Sequence, residues 1–323
     1  MTNPISTDNK KSSPFPSKKR NKSSDILRWF KVARLRKQFL TAILFLLPSL
    51  LVFGIFVYYA LGFNVYLSFT SWNFLSAEKS FIGFENYVRL FTGTRFWQAL
   101  ANTAYFAAGS VSISIIFGLM LALLLNQKNL PIRGLFRTII FSPYVTTTAA
   151  IALLWMWIFQ PQFGLINIIL AFFGVQGPRW LSDPKFAMPA LIIMEIWRST
   201  GYVMVIFLAG LQNIPGELYE AAEIDGASGF RKFWNITLPL LSPTTFFIVV
   251  TSLLNAFSTF DQVQVMTLGG PADATTVLNY FIYEEAFVHF RAGFAAAAST
   301  IMFVILLIIT IFQLIVSKRW VHY

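Results

Sequence analysis

The chain has 323 residues, of which 56% are hydrophobic, 17% are aromatic and only 12% are charged, a composition that indicates an integral membrane protein. It contains no cysteine and only two histidines, His289 and His322, which excludes disulfides, thiolate metal centres and histidine-rich metal sites. The net charge of +11 would suggest a nucleic-acid partner in a soluble protein, but 11 of the 25 lysines and arginines precede residue 38. That asymmetry is typical of membrane topology, and no nucleic-acid partner is expected.

The first 38 residues form a basic segment. Met1 to Ser24 is rich in Ser, Lys, Asn and Pro and has almost no large apolar side chain, so we expect it to be disordered. A nucleic-acid arm is one interpretation, but a cytoplasmic tail beside anionic membrane lipid is favoured by the apolar run that follows. Asp25 to Gln38 alternates basic and apolar residues, as in a short helix on the membrane surface. We therefore predict a basic cytoplasmic tail over 1–38 and a membrane domain over 39–323.

Six apolar segments are long enough to cross about 30 Å of hydrocarbon. The first lies too far from the N-terminus and is too long to be a signal-peptide core, so we expect it to be retained. The prediction is an all-α integral membrane protein with six transmembrane helices. The segments are Leu40 to Leu61, Ala99 to Leu125, Thr138 to Phe159, Phe186 to Leu211, Ser242 to Val265 and Gly293 to Val316.

The basic residues predict which loops are cytoplasmic. With the N-terminus inside, 18 lysines and arginines fall in cytoplasmic segments and six fall outside, while Arg198 lies within the membrane. The positive-inside rule therefore predicts that both termini are cytoplasmic. In the first external loop, Phe81 to Phe91 has the pattern of a short amphipathic helix at the outer interface, which we interpret as a packed lid without ligand contact.

The cytoplasmic stretch between the fourth and fifth spans reads YEAAEIDGASGFRKFWNITLP from Tyr219 to Pro239. Asn213 predicts the cap of a first helix, with Pro215 in its first turn, and Ser228 predicts the cap of a second. Asp225-Gly226 predicts the turn between them. We interpret 212–241 as a helix–turn–helix bracket, here called the coupling bracket; helix patterns alone equally allow an ordinary amphipathic loop on the lipid surface.

The spacing within the coupling bracket is more specific than its helix pattern. Glu220-Ala221-Ala222 is followed after three residues by Gly226, and after nine more by ITLP at 236–239. This pattern resembles the EAA loop of permease subunits in binding-protein-dependent ABC importers. FGLIN at 163–167, LQNIP at 211–215 and LGGP at 268–271 are similar to the sugar-permease branch, in particular to maltose and glycerol-3-phosphate permease subunits. The resemblance runs from about residue 40 to the C-terminus.

This resemblance implies a type I ABC importer permease fold in the bacterial inner membrane. It implies four kinds of partner: a second homologous permease subunit, two ATPase subunits, an extracytoplasmic solute-binding protein and membrane lipid. The chain itself is expected to be non-catalytic and to bind no cofactor, because ATP and Mg belong to the ATPases. In the family the EAA loop docks into a cleft on the ATPase, which implies coupling contacts by Glu217, Glu220, Ala221, Ala222, Asp225, Gly226, Arg231 and Phe233.

The energy source is predicted from an absence in the sequence. There is no GxxxxGK[ST] phosphate loop, so energy must come from another chain or from an ion gradient. Gradient-driven carriers usually have acidic or histidine relays and repeated halves, whereas the predicted spans contain only Glu195, Arg198 and Asp261 as charged residues and no repeat. An ion-gradient-driven secondary carrier is therefore the weaker alternative, together with an ABC permease for a non-sugar solute.

Charged groups at membrane depth should face the bundle interior or water, because exposure to lipid is costly. Glu195 and Arg198 are one helical turn apart, so they predict either a structural i,i+3 ion pair or two solute ligands. Arg198 would attract an anionic solute such as a sugar phosphate, while both groups together would suit a neutral polyhydroxy solute. Disaccharide, polyol, glucoside and glycerol phosphate therefore all stay open.

The resemblance to maltose permease implies a set of solute-contacting positions on the third, fourth and fifth spans. Two positions depart from that pattern: the family example has a neutral amide where Glu195 stands, and Ala256 has no polar group. Polar neighbours on the same segments complete the set. The predicted solute path consists of Tyr144, Thr148, Glu195, Arg198, Ser199, Ser252, Asn255, Ser258, Thr259 and Asp261.

Overall fold

The computed structural model describes residues 33–76, 78–127 and 132–320. The predicted disordered tail and most of the predicted surface helix, Asp25 to Gln38, lie outside the described residues, so the boundary at residue 38 stays a prediction. The chain divides into two units, Met1–Gly62 and Phe63–Tyr323. In the first unit, helix α1 (Ala33–Phe53) passes through a π-helical segment, Gly54–Tyr59, into helix α2, whose bounds Ala60–Ser68 cross the division.

The described part of the second unit is mostly helical. A short antiparallel hairpin, β1 (Thr70–Ser71) and β2 (Ser80–Phe81), pairs Thr70 with Phe81 and precedes the remaining helices. Two further π-helical segments, Phe233–Thr237 and Glu284–Val288, interrupt the helical run. The helices are α3 (Glu85–Thr92), α4 (Thr94–Leu125), α5 (Arg133–Val145), α6 (Thr148–Ile158), α7 (Leu165–Phe172), α8 (Pro184–Gln212), α9 (Gly216–Ile224), α10 (Gly229–Lys232), α11 (Leu238–Leu240), α12 (Ser242–Phe257), α13 (Asp261–Met266), α14 (Leu278–Tyr283) and α15 (Ala292–Trp320).

Helix α8 is the centre of the second unit, and α4, α5 and α12 pack on it. It begins where Asp183 caps it by accepting a hydrogen bond from the backbone N–H of Lys185, with Pro184 in the first turn. Buried apolar side chains such as Met194 and Phe207 fill the space around it. Close packing against α5 requires a glycine, since a Cβ at Gly201 would lie 2.1 Å from the carbonyl oxygen of Ile140.

In the part of the chain that the structure describes, four helical segments are long and apolar enough to cross a membrane, or six if each of two bent helix pairs counts as one span. The predicted first, second, fourth and sixth spans correspond to Lys37–Ser68, Thr94–Leu125, Pro184–Gln212 and Ala292–Lys318. All four helices are longer than predicted and extend beyond the apolar run that defined each span.

The predicted third span, Thr138 to Phe159, is not one continuous helix. The segment consists of α5 and α6, which meet at an angle of 99°. The break falls at Thr146 and Thr147, whose backbones are extended, within the run VTTT at 145–148. β-Branched residues are poor helix formers, and Thr146 Oγ1 bonds back to the carbonyl of Ser142, so the last turn of α5 is stabilised without helix continuation.

The predicted fifth span, Ser242 to Val265, is also interrupted. Helix α12 ends at Phe257, and α13 begins at Asp261. In the link between α12 and α13, the Ser258 hydroxyl donates a hydrogen bond to the carbonyl of Leu254. This bond satisfies one of the carbonyls at the end of α12. At its start α12 meets the segment Gly229–Leu240 at an angle of 61°. Broken helices of this kind bring backbone and polar side chains into the interior of a membrane protein.

The amphipathic segment predicted over Phe81 to Phe91 contains helix α3. Leu90 is fully buried, and Asn86 donates hydrogen bonds to the carbonyls of Ser68 and Thr70, both at 2.9 Å. Helix α3 also packs against α15. These contacts tie the hairpin to the helical unit.

Candidate solute cavity and coupling bracket

Two adjoining cavities lie where α4, α5, α6, α8, α12 and α13 come together. The smaller has a volume of about 20 Å³, which leaves room for about one water molecule. The larger, about 250 Å³, is a little below the roughly 300 to 1,000 Å³ of typical ligand pockets. Both cavities are lined by Tyr144, Glu195, Arg198 and Asn255. The smaller cavity is also lined by Ser110, Val111, Ser114, Ser199, Tyr202, Ser252 and Ala256. The larger cavity is also lined by Thr148, Ser258, Thr259, Phe260, Asp261 and Gln262.

All ten residues of the predicted solute path line one or both cavities. Their side chains come from α5, α6, α8, α12, α13 and the link after α12, so the two helix breaks contribute directly. Asn255 and Ser258 both face the cavities. The structure therefore brings together residues that are more than 100 positions apart in the chain, while their contact with solute stays a prediction.

A bidentate ion pair dominates the shared wall of the cavities. Arg198 donates from Nε to Glu195 Oε2 at 3.0 Å and from Nη2 to Glu195 Oε1 at 2.9 Å. The guanidinium also lies over the ring of Tyr144, with 5.4 Å from Cζ to the ring centroid, and Tyr144 stacks on Tyr202 at 4.6 Å. Gln262 bonds to Thr259 and reaches Glu195 Oε2 at 3.5 Å. The i,i+3 pair is thus present, held between aromatic and amide neighbours.

The polar side chains of the cavities differ in their remaining hydrogen-bonding capacity. The hydroxyls of Ser199 and Ser258 donate to carbonyls of their own helices. By contrast, Thr148, Ser252 and Asn255 make no side-chain hydrogen bond within residues 33–76, 78–127 and 132–320. These three side chains can therefore serve a ligand or water without losing a protein contact.

Four polar lining residues were not predicted from the sequence. Ser110 and Ser114 face inward from α4, and the Ser114 and Ser199 hydroxyls lie 2.8 Å apart. Their i,i+4 spacing in an otherwise apolar span is a signal that could have identified them. Tyr202 follows Arg198 by four residues, and Gln262 follows Asp261. For Gln262 there was no usable signal, because the break before α13 changes the helix phase.

The coupling bracket is formed by α9, α10, the π-helical segment Phe233–Thr237 and α11. Gly226 makes the turn between α9 and α10 with φ +73°, a conformation that L side chains rarely adopt. The Ser228 hydroxyl accepts from the backbone N–H of Arg231 at 3.4 Å, so this predicted cap is present. The prediction that Asn213 caps the first helix is wrong. Asn213 instead ends α8, with its N–H bonded to the carbonyls of Gly210 and Leu211.

Two contacts hold the arms of the coupling bracket together. Lys232 Nζ donates to Glu223 Oε1 at 2.6 Å, and this hydrogen bond holds the pKa of Glu223 below its ordinary value. The hydroxyls of Tyr219 and Thr237 lie 2.9 Å apart. The bracket is therefore cross-linked by side chains on both sides of the Gly226 turn.

The coupling bracket exposes a mixed apolar and charged surface. Ile224 is 87% exposed and Phe230 is 75% exposed, so two large apolar side chains lie uncovered on either side of the Gly226 turn. Of the residues predicted to contact the ATPase, Ala222 and Phe233 are only partly exposed. The exposed ones are Glu217, Glu220, Ala221, Asp225, Gly226 and Arg231.

No group of three or more His, Asp or Glu side chains that could hold a metal ion occurs among the described residues. The fold and site define a helical membrane protein with a small polar cavity between broken helices and a separate exposed bracket. This class of architecture has known members. The chain belongs to the family of binding-protein-dependent transport system inner membrane components, whose sequence model matches residues 114–322.

Similar proteins cover nearly the whole chain. It is 39% identical over 274 residues to a probable ABC transporter permease protein, YurN, of Bacillus subtilis, covering 84% of this chain and 94% of the relative. It is 36% identical to the trehalose/maltose transport system permease protein MalF of Thermococcus litoralis (85% and 92% covered). It is 34% identical to the sn-glycerol-3-phosphate transport system permease protein UgpA of Agrobacterium fabrum (85% and 94% covered).

The fold is similar to that of a chain in a bacterial ABC transporter that imports the acidic polysaccharide alginate. The TM-score is 0.76 at 27% identity, with 90% of this chain and 99% of the other covered. A second structure of an alginate ABC transporter, in complex with its alginate pentasaccharide-bound periplasmic protein, gives a TM-score of 0.75 at 27% identity, with 88% and 95% covered. The prediction that the chain is an ABC transporter permease is confirmed. The prediction that it is a multi-pass inner membrane protein is confirmed as well.

Proposed function

We propose that this chain is one of two permease subunits of an ATP-driven importer that carries a sugar or related polyhydroxy solute into the cytoplasm. The observation that carries the proposal is that all ten predicted solute-path residues line two adjoining cavities. The names of two similar permeases, one for trehalose and maltose and one for glycerol-3-phosphate, support a polyhydroxy solute. Six spans with both termini cytoplasmic complete the proposal.

Energy enters through the coupling bracket. In this proposal two partner ATPases bind ATP and Mg, and one of them covers the exposed surface around Ile224 and Phe230. Because the bracket is cross-linked by Lys232 and Glu223, it moves as one body and passes the motion to α8 and α12, which flank it in the chain. The cavity then opens alternately to the solute-binding protein outside and to the cytoplasm.

The turn at Gly226 provides a test. We expect Gly226→Val to leave membrane insertion and complex assembly intact, because a Cβ there would meet no heavy atom within 4 Å. A β-branched residue at φ +73° is strained, however, by at least about 1 to 2 kcal/mol, so α10 will turn away from α9. ATP-dependent solute uptake in proteoliposomes that contain the complete importer should fall by at least about tenfold, since 1.4 kcal/mol corresponds to a factor of ten.

Gly229→Val is the matched control. A Cβ at Gly229 would also meet no heavy atom within 4 Å, but the φ of Gly229 lies outside the positive range, so this variant should retain most uptake. Normal uptake by an intact Gly226→Val complex would contradict the proposed coupling. Solute uptake by this chain alone, driven by a proton or sodium gradient, would favour the secondary carrier.

A further inference from the structure

The charges that line the two cavities do not balance. The lining contains one guanidinium, that of Arg198, and two carboxylates, those of Glu195 and Asp261, and no other charged side chain. The walls contributed by this chain therefore carry a net negative charge. An anionic solute would be repelled in a setting where the low dielectric strengthens every electrostatic interaction.

The charge of Arg198 is already paired with a carboxylate, while three of its five N–H groups stay free among the described residues. Two of its three nitrogens donate to the Glu195 carboxylate in a bidentate arrangement, and the face of the guanidinium is covered by the Tyr144 ring. An anion that binds these free N–H groups would meet a guanidinium whose positive charge Glu195 already neutralises in bidentate geometry, so its attraction is weakened. Arg198 is thus a positioning residue for Glu195 and Tyr144, and a poor receptor for phosphate or carboxylate.

Asp261 makes the net charge of the larger cavity's lining negative. It is the first residue of α13 and is exposed toward the cavity rather than packed. Among the described residues it has no ion-pair partner within 4.0 Å, in contrast to Glu195. Arg198 attracts Asp261 electrostatically from beyond ion-pair distance, so this carboxylate still accepts hydrogen bonds from hydroxyl groups and repels other anions.

The remaining lining suits a neutral sugar. Thr148, Ser252 and Asn255 have unused hydrogen-bonding capacity toward hydroxyl groups. Tyr144, which stacks on Tyr202 and also lines the larger cavity, provides aromatic surface for the C–H groups of a sugar ring. We infer that this chain selects neutral polyhydroxylated solutes and excludes anionic ones such as sugar phosphates and uronates, with Asp261 and the Glu195–Arg198 pair as the selecting groups. The inference rests on the proposed function and narrows its solute class.

The first experiment tests the solute class with the complete importer in proteoliposomes. ATP-dependent uptake is measured for three neutral probes, maltose, trehalose and lactose, and for three anionic ones, glycerol-3-phosphate, maltobionate and an alginate trisaccharide. We expect uptake of at least one neutral probe and of no anionic probe. Uptake of an anionic probe would overturn the inference and leave the proposed function intact, whereas uptake of none of the six would contradict the proposed function itself.

The second experiment separates this chain from the solute-binding protein, which also selects solutes. The transporter complex without binding protein is placed in nanodiscs, and saturation-transfer NMR compares maltose with maltobionate, which carries a carboxylate. Wild-type complex should bind maltose at least about tenfold more tightly than maltobionate, the size expected for one partly buried charge. Asp261→Asn keeps the shape of the side chain but removes its charge, and it should reduce that preference several-fold.

Glu78→Gln is the matched control, since Glu78 is an exposed carboxylate outside both cavities, and it should not change the preference. Glu195→Gln provides a second variant with the same expected direction, because Arg198 would then lack its counter-charge. Equal binding of maltose and maltobionate by the wild type, no binding of either, or an unchanged preference in both variants would overturn the inference.

Discussion

A paired charge and an unpaired charge have different consequences at membrane depth. Arg198 lies in a helix that is long and apolar enough to span the bilayer, and Glu195 neutralises it through two hydrogen bonds at 2.9 and 3.0 Å. Glu195 is only 9% exposed, so loss of its partner would leave a buried carboxylate without compensation. Removing both charges is a milder change, because Gln at both positions can form a neutral hydrogen bond.

We predict that Arg198→Gln destabilises the complex more than the double variant Glu195→Gln/Arg198→Gln does. Breaking a buried pair from one side typically costs about 3 to 5 kcal/mol, whereas replacing both partners is often close to neutral. Thermal denaturation of the detergent-purified complex, followed by tryptophan fluorescence, measures the difference. Arg179→Gln, an exposed arginine outside both cavities, is the control. A double variant that unfolds at the same temperature as Arg198→Gln, or at a lower one, would contradict the prediction.

At the scale of elements, close contact between helices determines where the cavity side chains point. Helix α5 can approach α8 because position 201 has no side chain, and this approach brings Tyr144 of α5 onto Tyr202 of α8. The break after α5 then turns the chain by 99° into α6, so that Thr148 also faces the larger cavity. One glycine and one helix break thus position two of the cavity walls.

We predict that Gly201→Ala separates α5 from α8 and weakens the Tyr144–Tyr202 stack. The added Cβ would lie 2.1 Å from a backbone carbonyl oxygen, which cannot move as a flexible side chain would, so the expected loss is about 1 to 3 kcal/mol. The measurement is again the midpoint of thermal unfolding. Gly134→Ala in α5 meets no atom within 4 Å and should be neutral or slightly stabilising. Equal midpoints for the two variants would refute this account of the packing.

A second prediction concerns the loop between α13 and α14, over residues 267–277. Asp273 ties it to α4 by accepting from Arg95 Nη2 at 2.9 Å, and this hydrogen bond holds the pKa of Asp273 below its ordinary value of 3.8. Because the folded pKa is lowered, the stabilisation is fully present above that ordinary value and disappears only as pH falls further. At pH 7 the wild-type Asp273 carboxylate is paired with Arg95, so Asp273→Asn should loosen the loop.

Hydrogen–deuterium exchange of peptides from 267–277 measures this effect. Exchange should be faster in Asp273→Asn at both pH 5 and pH 7, and wild-type protection should be the same at the two values once intrinsic rates are corrected. Asparagine tolerates the φ of +58° at this position, so the change isolates the charge. Glu78→Gln serves as the control. Loss of wild-type protection between pH 7 and pH 5 would count against the assigned role of Asp273.

At the scale of the whole molecule, the distribution of basic residues predicts how the chain crosses the membrane. The wild-type sequence has no cysteine, so single cysteines can be introduced without other changes. We expect a membrane-impermeant maleimide to label Glu78→Cys in intact spheroplasts, and to label Gly134→Cys only after permeabilisation. Both positions are exposed in the structure. The reverse pattern would invert the predicted orientation.

The sequence alone was sufficient for the features that depend on local pattern. Composition and the length of apolar runs identified a multi-span membrane protein, and the spacing from Glu220 to Gly226 and on to Pro239 identified the permease family. The cap at Ser228 and the turn at Gly226 were also predictable, because each follows from the chemistry of one residue and its nearest neighbours.

Tertiary structure decided what depends on contacts between distant segments. The breaks after Val145 and Phe257 were missed, because an apolar run indicates length in the membrane and carries no information about where the helix bends. The inward position of Gln262 could not be predicted from residue spacing, because the break before α13 changes the helix phase. The pairing of Glu195 with Arg198 depends on side-chain geometry that residue spacing does not determine. The number of charges that share the larger cavity with Asp261 depends on how several separate elements pack together.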